Sequence, residues 1–369
     1  MQRGAFVEID LSCLSYNIRK IKRLIGKRPI IAVVKADAYG HGAVEVSKTI
    51  VSEGIKHLGV AFLNEAIELR ESGIKEEILV FFDQDISQDI IDYQLTPVIN
   101  SLSYARYLNK LAEKNRLIVR CHINIDTGMG RMGINSDNAY KAIREIIELK
   151  NLRVTGIMSH FSDADLADRC YAEEQVEQLK LLRNKLLKVL PKGCMFHIAN
   201  SAATVALPEA YFDAVRPGLI LYGVNPFSSA KFRPVMTVKA RILSIRKLKK
   251  GTSISYGRTF ITSRDTKVGV LAIGYADGLL RSTSNRAYFL VKGERAPVVG
   301  RVCMDLTIVD LTEIKGVKEG DEVVILGAQG DGDITSTELA ESAGTIPYEI
   351  LTSLGKTNRR FYKNSESNS

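Results

Sequence analysis

Eight short apolar runs alternate with amphipathic segments over roughly the first 230 of the 369 residues, and this alternation restricts the fold more than any other feature. Each run is rich in β-branched and apolar side chains, which is typical of a buried strand. The runs are 30–34, 57–61, 78–82, 96–99, 117–125, 154–159, 195–199 and 214–216.

The segments between these runs predict helices. Residues 101–115 place Leu102, Ala105 and Leu108 on one face, with Ser101 as the N-cap, and residues 171–190 follow the same spacing. Eight strands that alternate with helices predict a (β/α)8 barrel of the TIM type. A doubly wound parallel sheet is the alternative, because periodicity does not distinguish a closed sheet from an open one.

The pattern changes at Arg233, after which helical patterns nearly vanish. Alternating stretches separated by glycine turns predict a second, mostly β domain. These stretches are 235–242, 267–273, 287–291, 296–302 and 322–326, and the turns contain Gly251, Gly257, Gly293 and Gly320. The fold class is therefore α/β, with an N-terminal barrel over residues 8–230 and a mostly β domain over 231–369, joined by the N-terminal strand 1–7.

Composition excludes several classes of protein. The net charge is +9, but basic residues are mixed with acidic ones, so no nucleic-acid partner is expected. The five cysteines are widely spaced and odd in number, which predicts neither a disulfide framework nor a metal site and favours a reducing compartment. No apolar run approaches the roughly 20 residues of a membrane span, and no signal-peptide pattern is present, so a cytoplasmic protein is expected.

Polar and ionisable residues follow the predicted barrel strands, where a barrel enzyme holds its active site. Lys35 ends the first strand, and an amine that emerges from an apolar strand is a candidate nucleophile or Schiff-base former. Residues 126–131 follow the fifth strand, His160 the sixth, Asn200 and Ser201 the seventh, and 216–218 the eighth. The last two positions are the usual phosphate site of such barrels, so the pattern indicates a Schiff-base cofactor that carries a phosphate.

Nine motifs extend this pattern over nearly the whole chain. They are VVKADAYGHG at 33–42, DTGMGRMG at 126–133, SHF at 159–161, HIANSAA at 197–203, VRPGLILYG at 215–223, SYG at 255–257, GYADG at 274–278, VGRVCMD at 299–305 and TIPYE at 345–349. In order and in type they resemble the alanine racemase family. The lysine motif alone also resembles single-domain pyridoxal-phosphate proteins and fold-related decarboxylases, so the β-domain motifs make the resemblance specific.

The resemblance implies an isomerase that interconverts L-alanine and D-alanine with pyridoxal 5'-phosphate and supplies D-alanine for peptidoglycan. It implies that Lys35 holds the cofactor and is the base for the D-isomer, and that Tyr256 is the base for the L-isomer. It also implies that His160 lies beside this tyrosine and that Arg216 lies beside His160 and the pyridine nitrogen.

The remaining site residues follow from the same resemblance. Residues that would bind the cofactor phosphate are Tyr39, Asn200, Ser201, Gly218, Leu219 and Tyr348. Arg131, Met304 and Tyr275 would bind the substrate. In the family, Tyr256 and Met304 reach the site from the partner subunit, which implies a homodimer with shared active sites.

Position 124 departs from the family pattern. The family commonly has a lysine there that is carbamylated and orients the arginine at position 131, whereas this chain has Asn124. Either a neutral amide holds Arg131, or a bound anion such as chloride lies near Asn124 and Arg131. Other interpretations are a racemase that prefers serine or another small amino acid, a fold-related decarboxylase, and a non-catalytic pyridoxal-phosphate homeostasis protein.

Overall fold

The computed structural model describes residues 4–84, 87–227 and 231–364. Its contacts divide the chain into two units. The barrel unit comprises Ser15–Ala36 and Ala43–Phe232, and the C-terminal unit combines the residues up to Leu14, Asp37–Gly42 and the residues from Arg233 onward. Residue 230, where the sequence analysis ends the barrel, and the chain ends at 1–3 and 365–369 lie outside the described residues.

The strands of the barrel unit are parallel. They are β2 (Ile31–Val33), β3 (His57–Val60), β4 (Glu77–Val80), β5 (Thr96–Ile99), β6 (Val119–Asp126), β7 (Ile134–Asn135), β8 (Leu152–Met158) and β9 (Met195–His197). Their order in the sheet is β2-β3-β4-β5-β6-β8-β9, and β7 pairs with the end of β6. Except for the short β7, each lies within two residues of a predicted run.

Residues 214–217 close this sheet into a barrel. The N–H of Arg216 donates to the carbonyl of Ala199 at 2.8 Å, which joins the segment to the end of β9. On the other side, the N–H of Ile31 donates to the carbonyl of Val215 at 2.9 Å, and Val33 donates to Pro217 at 3.0 Å. The predicted barrel is therefore confirmed, and the open doubly wound sheet is wrong.

The helices of this part of the chain follow the strands. They are α1 (Leu11–Ile25), α2 (Lys35–Tyr39), α3 (Ala43–Ser52), α4 (Leu63–Glu71), α5 (Asp89–Asp92), α6 (Leu102–Lys114), α7 (Ser136–Ile147), α8 (Cys170–Leu186) and α9 (Ser201–Ala206), with 3-10 turns at Pro208–Ala210 and Leu219–Tyr222. Ser101 caps α6 as predicted, because its hydroxyl accepts from the N–H of Tyr104 at 3.2 Å. Helix α8 ends four residues before the predicted 190, ahead of Pro191.

The C-terminal unit is built on one large sheet. The strands of this unit are β1 (Phe6–Asp10), β10 (Met236–Leu248), β11 (Ser253–Ile254), β12 (Phe260–Ile261), β13 (Thr266–Leu271), β14 (Tyr288–Val291), β15 (Glu294–Pro297), β16 (Thr307–Asp310), β17 (Glu322–Gln329), β18 (Gly332–Ile334) and β19 (Arg359–Lys363), of which β11 and β12 pair with each other outside the large sheet. Strand β10 pairs with β1, β13 and β17, and β1 also pairs with β19 in parallel. A bulge lies between Ile242 and Ser244, and the two halves of β10 pair with different neighbouring strands.

Two helices in this unit contradict the expectation that helical patterns nearly vanish after Arg233. Helix α10 spans Ser336–Ala343 and α11 spans Pro347–Thr357, alongside 3-10 turns at Tyr256–Arg258, Tyr275–Asp277 and Arg281–Thr283. Thr335 caps α10 by accepting from the N–H of Glu338 at 3.1 Å, and Gly344 ends it in the left-handed conformation. Both helices are short, so each offers few apolar repeats to a search for periodicity.

The expected strand at 296–302 is also wrong in extent. Strand β15 begins at Glu294 and ends at Pro297. Beyond it, the N–H of Val298 donates to the carbonyl of Ala287 and that of Val299 to the carbonyl of Ile308, each at 2.9 Å, and Val298 also forms an isolated bridge to Val309.

Three further observations describe the chain's chemistry. No helix within the described ranges is long and apolar enough to cross a membrane. No disulfide joins the cysteines, which are Cys13, Cys121, Cys170, Cys194 and Cys303. Among the described residues, no group of three or more His, Cys, Asp or Glu side chains is arranged to hold a metal ion.

Candidate active site

Lys35 lies at the carboxyl end of β2, where the sequence analysis expects it. Burial lowers the pKa of its amine, and the positive charges of Arg131 and Arg216 lower it further, while the charge of Glu65 opposes them. A lowered pKa increases the neutral fraction of the amine near neutral pH, and the neutral amine is the nucleophile.

Phe82 is a site residue that the sequence analysis missed. The ammonium nitrogen of Lys35 and the guanidinium carbon of Arg131 each lie 5.2 Å from the centroid of the Phe82 ring. An aromatic face attracts a cation, so one ring helps to hold both positive groups in place. Its only signal in the sequence was its position as the last residue of the predicted run 78–82.

The backbone that follows Lys35 forms a left-handed helical turn. Four successive residues without glycine, Ala36, Asp37, Ala38 and Tyr39, have φ angles of 54°, 57°, 51° and 56°. This conformation costs about 1–2 kcal/mol per residue, so it persists only where other contacts hold it.

Glu65 supplies one of the contacts that hold this turn. Its carboxylate accepts from the N–H of Ala36 at 2.6 Å and from the N–H of Ala61 at 2.6 Å. The backbone next to Lys35 is thereby tied to the junction of β3 and α4. Glu65 was not predicted, although a glutamate in the first turn of a helix is a recognised capping residue.

Arg216 is a buried cation whose bonding partners are neutral. One guanidinium nitrogen, Nη1, donates to the carbonyl and to Nδ1 of His197, at 2.8 and 2.7 Å. The other, Nη2, donates to the carbonyl of Ser159 at 2.6 Å and lies 3.2 Å from Nδ1 of His160. Burial lowers the pKa of Arg216 to about 9, which leaves it charged at neutral pH.

His160 lies beside Arg216, as expected. Burial, followed by the charges of Arg216, Arg131 and Lys35, lowers the pKa of His160 to about 3. The imidazole is therefore neutral at physiological pH. Because arginine can only donate, Nδ1 of His160 is the acceptor and Nε2 carries the proton. The side-chain amide of Gln175 donates to the carbonyl of His160 at 3.0 Å and holds its backbone.

The structure brings together the predicted phosphate-binding residues that follow β9 and 214–217. The hydroxyl of Ser201 accepts from the N–H of Gly218 at 2.9 Å and of Ile220 at 3.3 Å. Asn200 caps α9 by accepting from the N–H of Ala203 at 3.0 Å, and Leu219 begins the 3-10 turn after Gly218. One hydroxyl thus ties together two loops that are rich in backbone donors.

Asn124 does not present its amide protons to an anion. Its Nδ2 donates to Oδ1 of Asn100 at 2.8 Å and to the carbonyl of Met132 at 2.9 Å, which uses both protons. The amide therefore holds the loop that carries Arg131. Asp126 also pins this loop, because its carboxylate accepts from the N–H groups of Gly128 and Gly130.

The other predicted phosphate-binding residues lie in the C-terminal unit. The rings of Tyr39 and Tyr348 are 5.7 Å apart and tilted by 39°. Burial raises the pKa of Tyr39, and the neighbouring Tyr348 raises it further, so this phenol stays protonated.

Tyr256 and Met304 line one cavity of about 1070 Å³ within the C-terminal unit. Both side chains are open to solvent, with 69% of Tyr256 and 54% of Met304 exposed. Positive φ angles at Ser255, Gly257 and Arg258, of 62°, 68° and 48°, turn the backbone sharply on either side of the tyrosine.

Tyr275 is joined to the Met304 segment through the backbone. Its N–H donates to the carbonyl of Cys303 at 3.0 Å, and the N–H of Ala276 donates to Met304 at 2.9 Å. Gly274 permits this approach, because a Cβ at that position would lie 2.2 Å from the carbonyl oxygen of Met304. The structure therefore places the predicted residues Tyr256, Tyr275 and Met304 on neighbouring turns of this unit.

Comparisons with known proteins identify the family. Residues 9–226 match the model of the alanine racemase N-terminal domain, and residues 235–362 match that of the C-terminal domain. The chain belongs to the alanine racemase family. The alanine racemase of Thermodesulfovibrio yellowstonii is 49% identical over 366 residues, which cover 98% of each chain.

Solved alanine racemases share the fold. The enzyme from Bacillus anthracis, whose structure contains bound L-Ala-P, has a TM-score of 0.90 and 34% identity, and the match covers 99% of this chain and 96% of that one. The enzyme from Bartonella henselae, with covalently bound pyridoxal phosphate, has a TM-score of 0.89 and 29% identity, over 98% and 100% of the two chains. An alanine racemase is an isomerase, which agrees with the sequence analysis.

Pyridoxal phosphate is the cofactor of this family, and the barrel unit has the groups to hold it. Lys35 offers a buried amine of lowered pKa for a covalent link to the aldehyde. Arg216 offers donors but no acceptor to the ring nitrogen. The loops joined by Ser201 and Gly218 offer hydroxyl and backbone donors to the phosphate. The donor set therefore matches the three polar parts of the cofactor.

Proposed function

We propose that this chain interconverts L-alanine and D-alanine with two bases, Lys35 on one face of the substrate and Tyr256 on the other. The observation that carries the proposal is the position of Lys35. Its amine ends a barrel strand, its pKa is lowered, and the buried cation Arg216 acts on it from the same end of the barrel.

Pyridoxal phosphate, when bound, withdraws electrons from Cα of the amino acid and so makes the Cα proton acidic. Lys35 then takes that proton from the D-isomer or returns it to form the D-isomer. Its lowered pKa suits both steps, because an acid–base group works best when its pKa is near the ambient pH.

Tyr256 performs the same task on the L-isomer. A phenol has a reference pKa near 10, so it requires help to lose its proton. His160, neutral and hydrogen-bonded to Arg216, is the group assigned to that task, since its Nε2 side remains available to a phenol. The cationic Arg216 behind the imidazole favours the phenolate electrostatically.

The position of Tyr256 supports the proposal of a homodimer. The exposed Tyr256, Met304, Leu243 and Leu306 all line one cavity of the C-terminal unit. Large apolar side chains gathered on one surface are typical of an interface. We assign this surface to the partner subunit, so that each active site takes Lys35 from one protomer and Tyr256 from the other.

Binding roles are assigned to the other candidate residues. Tyr39, Asn200, Ser201, Gly218, Leu219 and Tyr348 hold the phosphate, while Arg216 faces the ring nitrogen. Arg131 pairs with the substrate carboxylate, which a planar guanidinium recognises through two parallel hydrogen bonds. Met304 and Tyr275 complete the substrate pocket.

A chloride ion beside Arg131 remains part of the proposal in a restricted form. Asn124 has no amide proton to spare, so the ion would be held by Arg131 itself. Arg131 and Lys35 lie over the same Phe82 ring and repel each other, which favours a negative charge beside them while substrate is away. Asn124 then acts on Arg131 only through the carbonyl of Met132.

The setting we propose is the bacterial cytoplasm, with D-alanine supplied for peptidoglycan. Five cysteines without a disulfide fit a reducing compartment. The alanine racemases named above come from bacteria, and D-alanine is a building block of the bacterial cell wall.

The test is direct assay of the purified protein with L-alanine. Appearance of D-alanine, and the reverse reaction from D-alanine, is the expected result, and Lys35→Ala should abolish both. Faster turnover of serine than of alanine would favour the serine-racemase alternative, and release of CO₂ would favour a decarboxylase. Cofactor binding without turnover of any amino acid would favour the homeostasis protein.

Borohydride reduction checks the role of Lys35 separately. It should fix the cofactor covalently on the peptide that contains Lys35, as found by mass spectrometry. A cofactor fixed on a different lysine would contradict the assignment.

A further inference from the structure

Four of the chain's five histidines belong to the barrel unit, and three of them take no part in the mechanism above, namely His57 and the neighbouring pair His122 and His197. His122 is the fourth residue of β6, and His197 is the last residue of β9. Both side chains are fully buried. Such residues are uncommon in a barrel interior, which branched apolar side chains normally fill.

These two imidazoles continue the hydrogen bonding of Arg216 into the barrel. Nδ1 of His197 lies 2.7 Å from Nη1 of Arg216, and Nε2 of His197 lies 2.9 Å from Nδ1 of His122. The two rings are 5.0 Å apart. Gly156 makes room for the second ring, because a Cβ at that position would lie 2.5 Å from ring atoms of His122.

The direction of these hydrogen bonds is fixed from one end. Arg216 can only donate, so Nδ1 of His197 must accept and its proton must sit on Nε2. That proton is donated to Nδ1 of His122, whose own proton must then also sit on Nε2. Within the described ranges, Nε2 of His122 is buried and has no hydrogen-bond partner.

Charge at the far end of the barrel favours the same direction. Glu77, the first residue of β4, accepts from His57 at 2.7 Å and from Thr96 at 3.0 Å, and it pairs with Arg120 at 3.0 Å. Its negative charge acts on His122, whereas the positive charge of Arg216 acts on both imidazoles. The N–H end of each imidazole therefore points away from the cation of the site.

We propose that His197 and His122 are positioning residues for Arg216, forming a one-way chain of neutral imidazoles that anchors the guanidinium and leaves its full positive charge facing the site. The inference rests on the proposed role of Arg216 toward the cofactor ring. A carboxylate in the place of His197 would anchor Arg216 equally well but would neutralise it.

Burial supports the neutral state that this chain requires. It lowers the pKa of His122 to about 4, with Arg216 and Arg120 adding to the effect, and lowers that of His197 well below its ordinary value. An additional proton on Nδ1 of His197 would place one N–H donor against another at Arg216. An additional proton on Nδ1 of His122 would do the same at Nε2 of His197.

Two substitutions of His197 separate positioning from packing. Asn places a side-chain oxygen where Nδ1 accepts from Arg216, whereas Leu fills the space and accepts nothing. His197→Leu should lower kcat for alanine on the order of 10- to 100-fold with little change in KM, because a buried charged donor loses its partner. His197→Asn should recover most of that loss.

Phe196→Leu is the matched control. Phe196 precedes His197 on β9 and lies against Arg183, with 5.5 Å from the ring centroid to the guanidinium carbon, so its side chain belongs to the other face of the strand. It should lower the melting temperature without lowering kcat. The proposal fails if His197→Asn is as impaired as His197→Leu, if His197→Leu retains kcat, or if Phe196→Leu reproduces the loss.

A second readout does not depend on turnover. Nitrogen-15 NMR of histidine side chains in the full-length protein, with and without cofactor, should show His122 and His197 as neutral Nε2–H tautomers at pH 6. Gly156→Ala should shift the His122 signals, because the added methyl group meets that ring. A proton on Nδ1 or a charged ring at either position would overturn the chain. Because these signals exist without substrate, they distinguish failure of this inference from failure of the proposed racemisation.

Discussion

The two proposed bases lie in contrasting surroundings. Lys35, in the barrel unit, is largely buried: its amine lies over the Phe82 ring, Arg131 and Arg216 lower its pKa, and Glu65 holds the turn that follows it. Tyr256, in the C-terminal unit, is 69% exposed and lines an open cavity. The contrast teaches that side chains of the same chain surround the first proposed base, whereas the second is open to solvent.

The backbone has positive φ angles next to both Lys35 and Tyr256. Lys35 precedes four residues at positive φ, and Tyr256 is flanked by Ser255 and Gly257, also at positive φ. Backbone strain of this kind concentrates at functional sites, where it fixes the direction of a side chain. Burial, and not backbone geometry, therefore distinguishes the two proposed bases.

The largest effect that would sharpen the comparison is expected from Tyr256→Phe. Racemisation in both directions should fall by about 10²- to 10⁴-fold, because each direction needs both bases. Exchange of the Cα proton with solvent deuterium, followed by NMR, should survive for D-alanine through Lys35 and be lost for L-alanine. Equal loss of exchange from both isomers would show that the two bases do not serve separate faces.

Mixing two inactive variants tests whether the exposed Tyr256 is completed by a partner. In a hybrid dimer of Lys35→Ala and Tyr256→Phe protomers, one site has both bases and the other has neither. Equal amounts, fully exchanged, should restore about one quarter of wild-type activity. If subunit exchange is demonstrated by mass spectrometry and activity stays absent, both bases act within one chain.

A smaller effect is expected from the proposed chloride site beside Arg131, which belongs to the barrel unit. Replacing chloride by a large organic anion at constant ionic strength should raise KM for alanine about fivefold, which corresponds to roughly 1 kcal/mol. Asn124→Lys should remove this dependence if the new lysine becomes carbamylated. A KM that ignores chloride would favour the simpler account, in which Asn124 holds Arg131 through the carbonyl of Met132.

The smallest effect concerns the stability of the barrel unit, which contains the buried base Lys35. Burial alone would raise the pKa of Glu77, but the hydrogen bond from His57 lowers it, and the charge of Arg120, joined by that of His122 once its imidazole is protonated in acid, brings it to about 2. Because the folded pKa lies below the ordinary value of 4.5, the resulting stability is present above pH 4.5 and is lost as pH falls toward 2.

Glu77→Gln should therefore lower the free energy of unfolding at pH 7 by about 1–3 kcal/mol and flatten its decline between pH 5 and 2. Urea unfolding at several pH values measures both changes. Glu71→Gln is the control, because Glu71 is exposed and accepts from the phenol of Tyr93 at 3.0 Å. If both variants lost the same free energy of unfolding, the buried position of Glu77 would contribute no more to stability than the exposed position of Glu71.

The sequence determined what depends on neighbours along the chain. Strand alternation and the Ser101 cap are local patterns, so the barrel strands other than the short β7 are predicted to within two residues. Because a barrel gathers the carboxyl ends of its strands, the sequence also indicated that Lys35, His160 and Arg216 would share one end. The short helices α10 and α11 were not predicted, because each contains few repeats of the apolar pattern.

Only the tertiary structure decided contacts between residues far apart in the chain. Closure of the barrel sets His197 against His122 across 75 positions and brings Asn124 to Asn100, which commits the amide expected to bind an anion. The left-handed turn after Lys35 also could not be predicted from the local sequence, because Ala36–Tyr39 contains no glycine to indicate positive φ angles. Hydrogen-bond direction and burial are properties of the closed barrel, and no periodicity encodes them.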